Sequence, residues 1–321
     1  MFAAGGMALQ ASGLPNMDGT TGRVRRLIIN RGCDLVDKFG RGAVSDPPVT
    51  EMVMCRLERA RELERLHEDA EARKRFTEAI EIAAKRHQQL SRIDAAVGIV
   101  DARQAFGEYL VRQKDAGGAE LQFEQLLEDA RRLAGLHDGR AEFVRPQGEA
   151  LGQLGDIYAA RGERRRAAES YETAAVAVGK TIELKSEVSS GARTASPENL
   201  AWLARLHRLA GQQYLELDEA DPAIERFGRT LAVRALAAPD GVLPEVEQEI
   251  ALALALTSEI EQKRNHAAAA GKAKAEALAS IGRIAGAKHA SSDLKRWSAS
   301  LKQFIETGKT GDETKAETKR E

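Results

Sequence analysis

The stretch Leu151–Ala174, LGQLGDIYAARGERRRAAESYETA, limits what this chain can fold into more than any other. Leu154, Gly155 and Tyr158 fall on one face of a helix, Arg161–Gly162 supplies a turn, and Ala167, Tyr171 and Ala174 fall on one face of a second helix. A single pair of short helices cannot bury its own apolar face, so such a pair needs neighbours of its own kind.

The chain supplies them. Ala72, Phe76 and Ala79 repeat the spacing of Ala167, Tyr171 and Ala174. Phe106 and Gly107 match Leu154 and Gly155, and Ala119 and Phe123 match Ala167 and Tyr171. Gly211, Tyr214, Ala223 and Phe227 match Gly155, Tyr158, Ala167 and Tyr171. The matched glycines step by 48 and then 56 residues. The expected plan is a short helix at Phe2–Gln10 and a turn within residues 1–19, then an amphipathic helix and turn at 20–50. Helical repeats follow over 51–290, with units near 53–86, 100–133, 148–181, 204–237 and an Ala-rich 245–285. A capping helix at 291–306 and a disordered charged tail at 307–321 complete it.

Within that plan the first amphipathic helix is expected to turn Val24, Leu27, Ile28, Leu35, Val36 and Phe39 inward and to stop at Gly40 and Gly42. Asp46–Pro47, Ser196–Pro197 and Asp221–Pro222 read as helix starts, and SEVSSGARTASPEN as a polar spacer. The capping helix should place Leu294, Trp297, Leu301 and Phe304 on one face.

Composition agrees with an all-α chain: Ala, Leu, Glu and Arg dominate, and there are only 8 prolines. The 48 basic residues balance 49 acidic ones, which argues against a nucleic-acid or membrane-surface binder. No stretch is apolar enough for a membrane span, and the N-terminus lacks a basic leader, so a cytoplasmic chain is expected. Cys33 and Cys55 read as two free buried thiols without metal-ligand spacing.

The four matched units resemble the tetratricopeptide repeat family, in a long-period form. That resemblance implies a right-handed α-solenoid of antiparallel helix pairs whose first helices line a concave ligand groove. Its groove positions fall on Gln104, Glu108 and Arg112, on Gly152, Asp156 and Ala159, and on Arg205, Arg208 and Gln212. It implies a non-catalytic scaffold for a protein or peptide partner, with Arg205 and Arg208 facing an acidic segment, and it leaves homo-oligomerisation open. The Lys/Asn clamp that some members use to hold a C-terminal carboxylate is missing from these positions. Leu14–Pro15, Arg25–Arg26, Arg31–Gly32 and Asp46–Pro47 further resemble the start of the repeat region that follows the kinase domain in some bacterial eukaryotic-like serine/threonine kinases. That implies a detached regulatory region in signal transduction. The phosphate loop and the H-R-D and D-F-G motifs of a kinase do not occur in the sequence.

No catalytic, cofactor or metal constellation stands out. His67, His87, His137, His207, His266 and His289 are scattered without metal-motif spacing, and no serine sits in a nucleophile elbow. Acidic and basic residues alternate at helical spacing, as on solvated faces. The run Arg161, Arg164, Arg165, Arg166 is read as decoration of an exposed turn rather than an anion site, and an RNA-binding repeat is disfavoured for want of a basic stripe.

Overall fold

A computed structural model describes residues 20–42, 49–137, 139–188, 195–237 and 242–307. The expectations for Phe2–Gln10, Leu14–Pro15, Asp46–Pro47 and the tail from residue 308 lie outside the described residues. Those described form α-helices and one 3₁₀ turn, with no strand among them. The all-α reading holds. The chain divides into two compact units, Met1–Ala150 and Leu151–Glu321, each taken in turn.

The first unit contains α1 (Thr20–Gly42), α2 (Val49–Arg65), α3 (Asp69–Leu90), α4 (Ile93–Arg112), α5 (Ala116–Leu136) and the start of α6 (Ala141–Ala160). Consecutive helices pack in pairs, and α2 also packs on α4. Phe76 stacks on Phe106 with ring centroids 5.4 Å apart and tilts onto Tyr109 at 5.0 Å. Helix α1 differs from expectation. Ile29 and Cys33 are buried with Cys55, with Ile28 and Val36 partly buried beside them, while Val24, Leu27 and Leu35 are exposed. Among the helices, α1 packs on α2, and one neighbour covers only a narrow stripe of an amphipathic helix. The side chain of Phe39 lies outside the described residues, and α1 runs through Gly40 to Gly42.

The second unit contains the end of α6, α7 (Arg164–Val188), α8 (Pro197–Glu216), α9 (Ala220–Ala232) with a 3₁₀ turn at Val233–Leu236, α10 (Pro244–Lys263), α11 (Ala267–Gly286) and α12 (Ser292–Thr307). The Ser196 side chain accepts from the Asn199 amide and caps α8, with Pro197 in its first turn. Two expected boundaries move. Helix α7 continues through Val188, so the first residues of the presumed spacer are helical, Glu, Lys and Leu before them being good helix formers. Helix α9 begins at Ala220 with Glu219 as its cap, so Asp221 and Pro222 lie in its first turn rather than before it. On α12 Leu294 and Ser298 are buried, Trp297 and Leu301 are half-buried and Phe304 is 48% exposed, so the cover of the apolar face thins toward its C-terminal end.

Among the described residues one turn geometry closes five helix pairs. At Gly162 the backbone is left-handed, the Gly162 amide donates to the Ala159 carbonyl and the Glu163 amide donates to the Tyr158 carbonyl. These two bonds satisfy carbonyls that the end of α6 would otherwise leave bare, in the Schellman arrangement. The Glu163 carbonyl then accepts from Ala167 and opens α7. The same bonds recur at His67–Glu68, Lys114–Asp115, Asp218–Glu219 and Asn265–His266, each with its first residue left-handed. Across three of the pairs an aromatic ring occupies the place of a missing methyl: a Cβ on Gly107, Gly155 or Gly211 would come within 2.8 Å of Phe123 or 2.6 Å of Tyr171 or Phe227. In the last pair Ser258 stands where those glycines do, its hydroxyl donating to the Ala270 carbonyl, and Lys274 stands where the aromatics do.

Candidate functional site

The candidate groove residues fall on first helices: Gln104, Glu108 and Arg112 on α4, Asp156 on α6, and Arg205, Arg208 and Gln212 on α8. Helical spacing places each set on one side of its helix.

In the first unit these side chains are engaged with their neighbours. Arg112 makes a two-pronged pair with Glu64 of α2, Nε to Oε1 at 2.7 Å and Nη2 to Oε2 at 3.0 Å. Gln104 Nε2 donates to Glu108 Oε1 at 3.1 Å. Arg61, Glu64 and Arg65 of α2 and Glu108 and Arg112 of α4 line a polar depression that carries both signs of charge. One turn further along α4, at the spacing of Gln104 and Glu108, stands Asp101. It has no hydrogen-bond or ion-pair partner among the described residues. Partial desolvation, then the neighbouring Glu149 carboxylate, holds Asp101 above the usual carboxylate range. Desolvation likewise raises Glu149, although Arg145 donates to it at 2.8 Å. Beside Asp101 lies a cavity of about 250 Å³ whose apolar walls come from Val53 and Met54 of α2 and from Ile93, Val97 and Gly98 of α4.

In the second unit the Tyr171 hydroxyl donates to Asp156 Oδ1 at 2.7 Å. Burial first, and the Asp156 charge second, pushes the Tyr171 phenol above its ordinary range. Asp156 therefore serves the packing of a buried ring as well as facing outward. Arg208 pairs with Glu249 of α10 through Nε and donates to Gln212 Oε1 at 3.1 Å. Its side chain is only 13% exposed. Arg205 is exposed on the same helix and is the guanidinium of the pair that remains open to a ligand. The two arginines are thus not equivalent, because α10 supplies a carboxylate to one of them.

The basic run near the α6–α7 turn is likewise absorbed by its surroundings. Arg165 pairs with Glu219 and lies over the Tyr214 ring at 5.5 Å. Arg166 pairs with Glu163 and lies over Tyr158 at 3.9 Å. Arg164 donates to the Ala159 carbonyl at 3.0 Å and to Gln213 Oε1 at 3.3 Å. Flat guanidinium groups on aromatic faces gain both packing and charge–quadrupole attraction. The helix pairs are thus cross-braced rather than decorated.

Several features have no counterpart in the sequence reading. Glu247 of α10 is buried between Arg234, at 2.7 Å, and Arg283, at 2.9 Å, with Ser280 accepting from both arginines. His207 of α8 is driven down to about 4, first by burial and then by Arg229 and Arg226, and its Nδ1 has no hydrogen-bond partner. Asp101 and the cavity were accessible in principle by extending the α4 face one turn toward its N-terminus. The Glu247 and His207 environments depend on partners from other helical segments, Arg234 and Arg283 for the one and Arg226 and Arg229 for the other.

Among the described residues no group of three or more His, Cys, Asp and Glu is placed to hold a metal ion. No helix there is long and apolar enough to cross a membrane. Cys33 and Cys55 are both buried, with Cys33 Sγ donating to the Cys55 carbonyl at 3.6 Å.

No family model matches the chain. No curated protein matches it by sequence. Among solved structures, the crystal structure of BtubC (BKLC) from P. vanneervenii aligns with a TM-score of 0.43 and 16% identity, over 75% of this chain and 93% of that one.

Proposed function

We propose that the chain is a non-catalytic scaffold of the tetratricopeptide type, a right-handed array of helix pairs that binds a protein or peptide partner on the face formed by its first helices. The observation that carries this reading is the recurrence of one unit: the same two-bond turn closes five helix pairs, with an aromatic seated on a glycine in three of them. Repeated pairs of this kind present their first helices side by side, as α2 beside α4 and α8 beside α10 do here. Exposed polar side chains on those helices, Arg205 foremost, are then available to a partner segment. Bacterial signal transduction is the setting the N-terminal resemblance suggests, with this chain acting as a regulatory or docking region for a kinase.

The test is a crosslinking pull-down from the native cell with the full chain as bait, repeated with Arg205→Glu. Capture of a defined protein that the variant loses supports the reading. A partner retained undiminished by Arg205→Glu and by charge reversals on α4 would place binding elsewhere and overturn the groove assignment.

A further inference from the structure

The cavity between α2 and α4 differs from the rest of the first-helix face. Its walls are apolar, from Val53, Met54, Ile93, Val97 and Gly98. An apolar cavity of roughly 150 Å³ can hold a benzene ring, so about 250 Å³ has room for one large side chain. The charges at its edge are otherwise matched. Asp94 takes a two-pronged pair from Arg92, at 3.0 and 2.6 Å, and Arg140 donates to Glu142 at 3.1 Å. Asp101 alone among the lining charges has no ion pair, and of the charges that act on it at longer range the Glu149 carboxylate outweighs the Arg61 guanidinium. An apolar recess with one unmatched carboxylate at its lip is complementary to an apolar side chain that carries a cation next to it.

We infer that this recess receives a large apolar side chain of a partner segment whose adjacent lysine or arginine pairs with Asp101. The inference rests on the partner-binding reading above and gives that partner a chemistry at the first unit. An acidic segment is excluded here by the carboxylates at the lip, and a wholly apolar one leaves Asp101 without a counter-charge. Burial of the apolar side chain supplies affinity, since about 25 cal/mol accrues per Å² removed from water. The cation supplies orientation and a salt-sensitive contribution.

The experiment is selection of random peptides displayed on phage against the full chain at low salt, followed by fluorescence anisotropy with the enriched peptides. Expected are peptides with a large apolar residue beside Lys or Arg, which lose about tenfold in affinity for Asp101→Lys. Replacing the peptide's basic residue by Gln should cost a similar factor with the natural chain and nothing further with Asp101→Asn. Asp101 is exposed, so neither variant threatens folding. Enriched peptides that bind Asp101→Lys undiminished, carry acidic residues, or act by displacing a second copy of the chain overturn the inference. If such peptides instead lose binding with Arg205→Glu, the partner reading stands without it. If no peptide enriches and no cellular partner is captured, both fall.

Discussion

Gly155 and Tyr171 share a single volume: a methyl group on Gly155 would lie 2.6 Å from the Tyr171 ring, whose hydroxyl reaches back to Asp156. Only glycine leaves room for that ring, which is 2% exposed. Gly155→Ala is expected to destabilise the second unit by about 1–3 kcal/mol, the cost of forcing an extra carbon into a packed site. Gly228→Ala, at an exposed helical position with nothing near the added methyl, should stabilise by about 0.5–1 kcal/mol. Urea titrations of the two variants check the contrast, and Tyr171→Leu in the Gly155→Ala background should recover part of the loss.

Left-handed backbone at Lys114 costs the chain energy that a glycine would not, and the Lys114 side chain is exposed. Lys114→Gly is expected to stabilise by about 1 kcal/mol, and Gly162→Ala to destabilise by a similar amount. Thermal melts of both would show opposite shifts. Equal shifts in one direction would contradict the turn geometry.

Arg208 and Arg205 should respond differently to charge reversal. Arg208→Glu puts two carboxylates together at Glu249 in a largely covered position and is expected to destabilise by about 2–4 kcal/mol, with partial rescue by Glu249→Arg. Arg205→Glu should shift stability by less than about 0.5 kcal/mol. Chemical denaturation of the two single variants and the double swap decides this. Only Arg205→Glu then tests partner binding without altering the fold.

His207 makes the second unit sensitive to acid. Its folded value, about 4, lies below the ordinary histidine value of 6.5. Between those values the unfolded chain holds a proton that the fold refuses, so stability falls as pH drops from about 6.5 and levels off below about 4. The loss is expected to reach the order of 2 kcal/mol, and His207→Gln should remove it from urea midpoints measured across that range.

The carboxyl of Asp101 works in the opposite sense. Its raised value means that the fold disfavours the charged form, so Asp101→Asn should raise the melting temperature near pH 7. The advantage should shrink as acid protonates Asp101 itself. A pair of melting curves at pH 7 and pH 3.5 checks it.

The helices were readable because the apolar residues keep a 3.6-residue period and the turn residues break it. The glycine–aromatic pairs were readable because the same two residue types recur at one separation, as at Gly107–Phe123 and Gly211–Phe227. The inward face of α1 was not, since Leu27 and Ile29 are both apolar and only the position of α2 decides which is covered. Nor was the fate of the groove arginines. Arg205 and Arg208 look alike along α8, and the carboxylate that distinguishes them arrives from α10. Four of the five left-handed turn residues carry side chains, so a search for glycine finds Gly162 and passes over His67, Lys114, Asp218 and Asn265.

In every one of those turns a single residue, such as Glu163 or Asp115, follows the left-handed position, ties off the first helix and begins the second. No residue is left over to act as a joint. Each hairpin is therefore a stiff part with a fixed elbow, whereas α3 and α4, which belong to successive hairpins, meet at Ser91–Arg92 without that double tie. Native-state hydrogen exchange should accordingly be slower at the Glu163 and Asp115 amides than at Arg92.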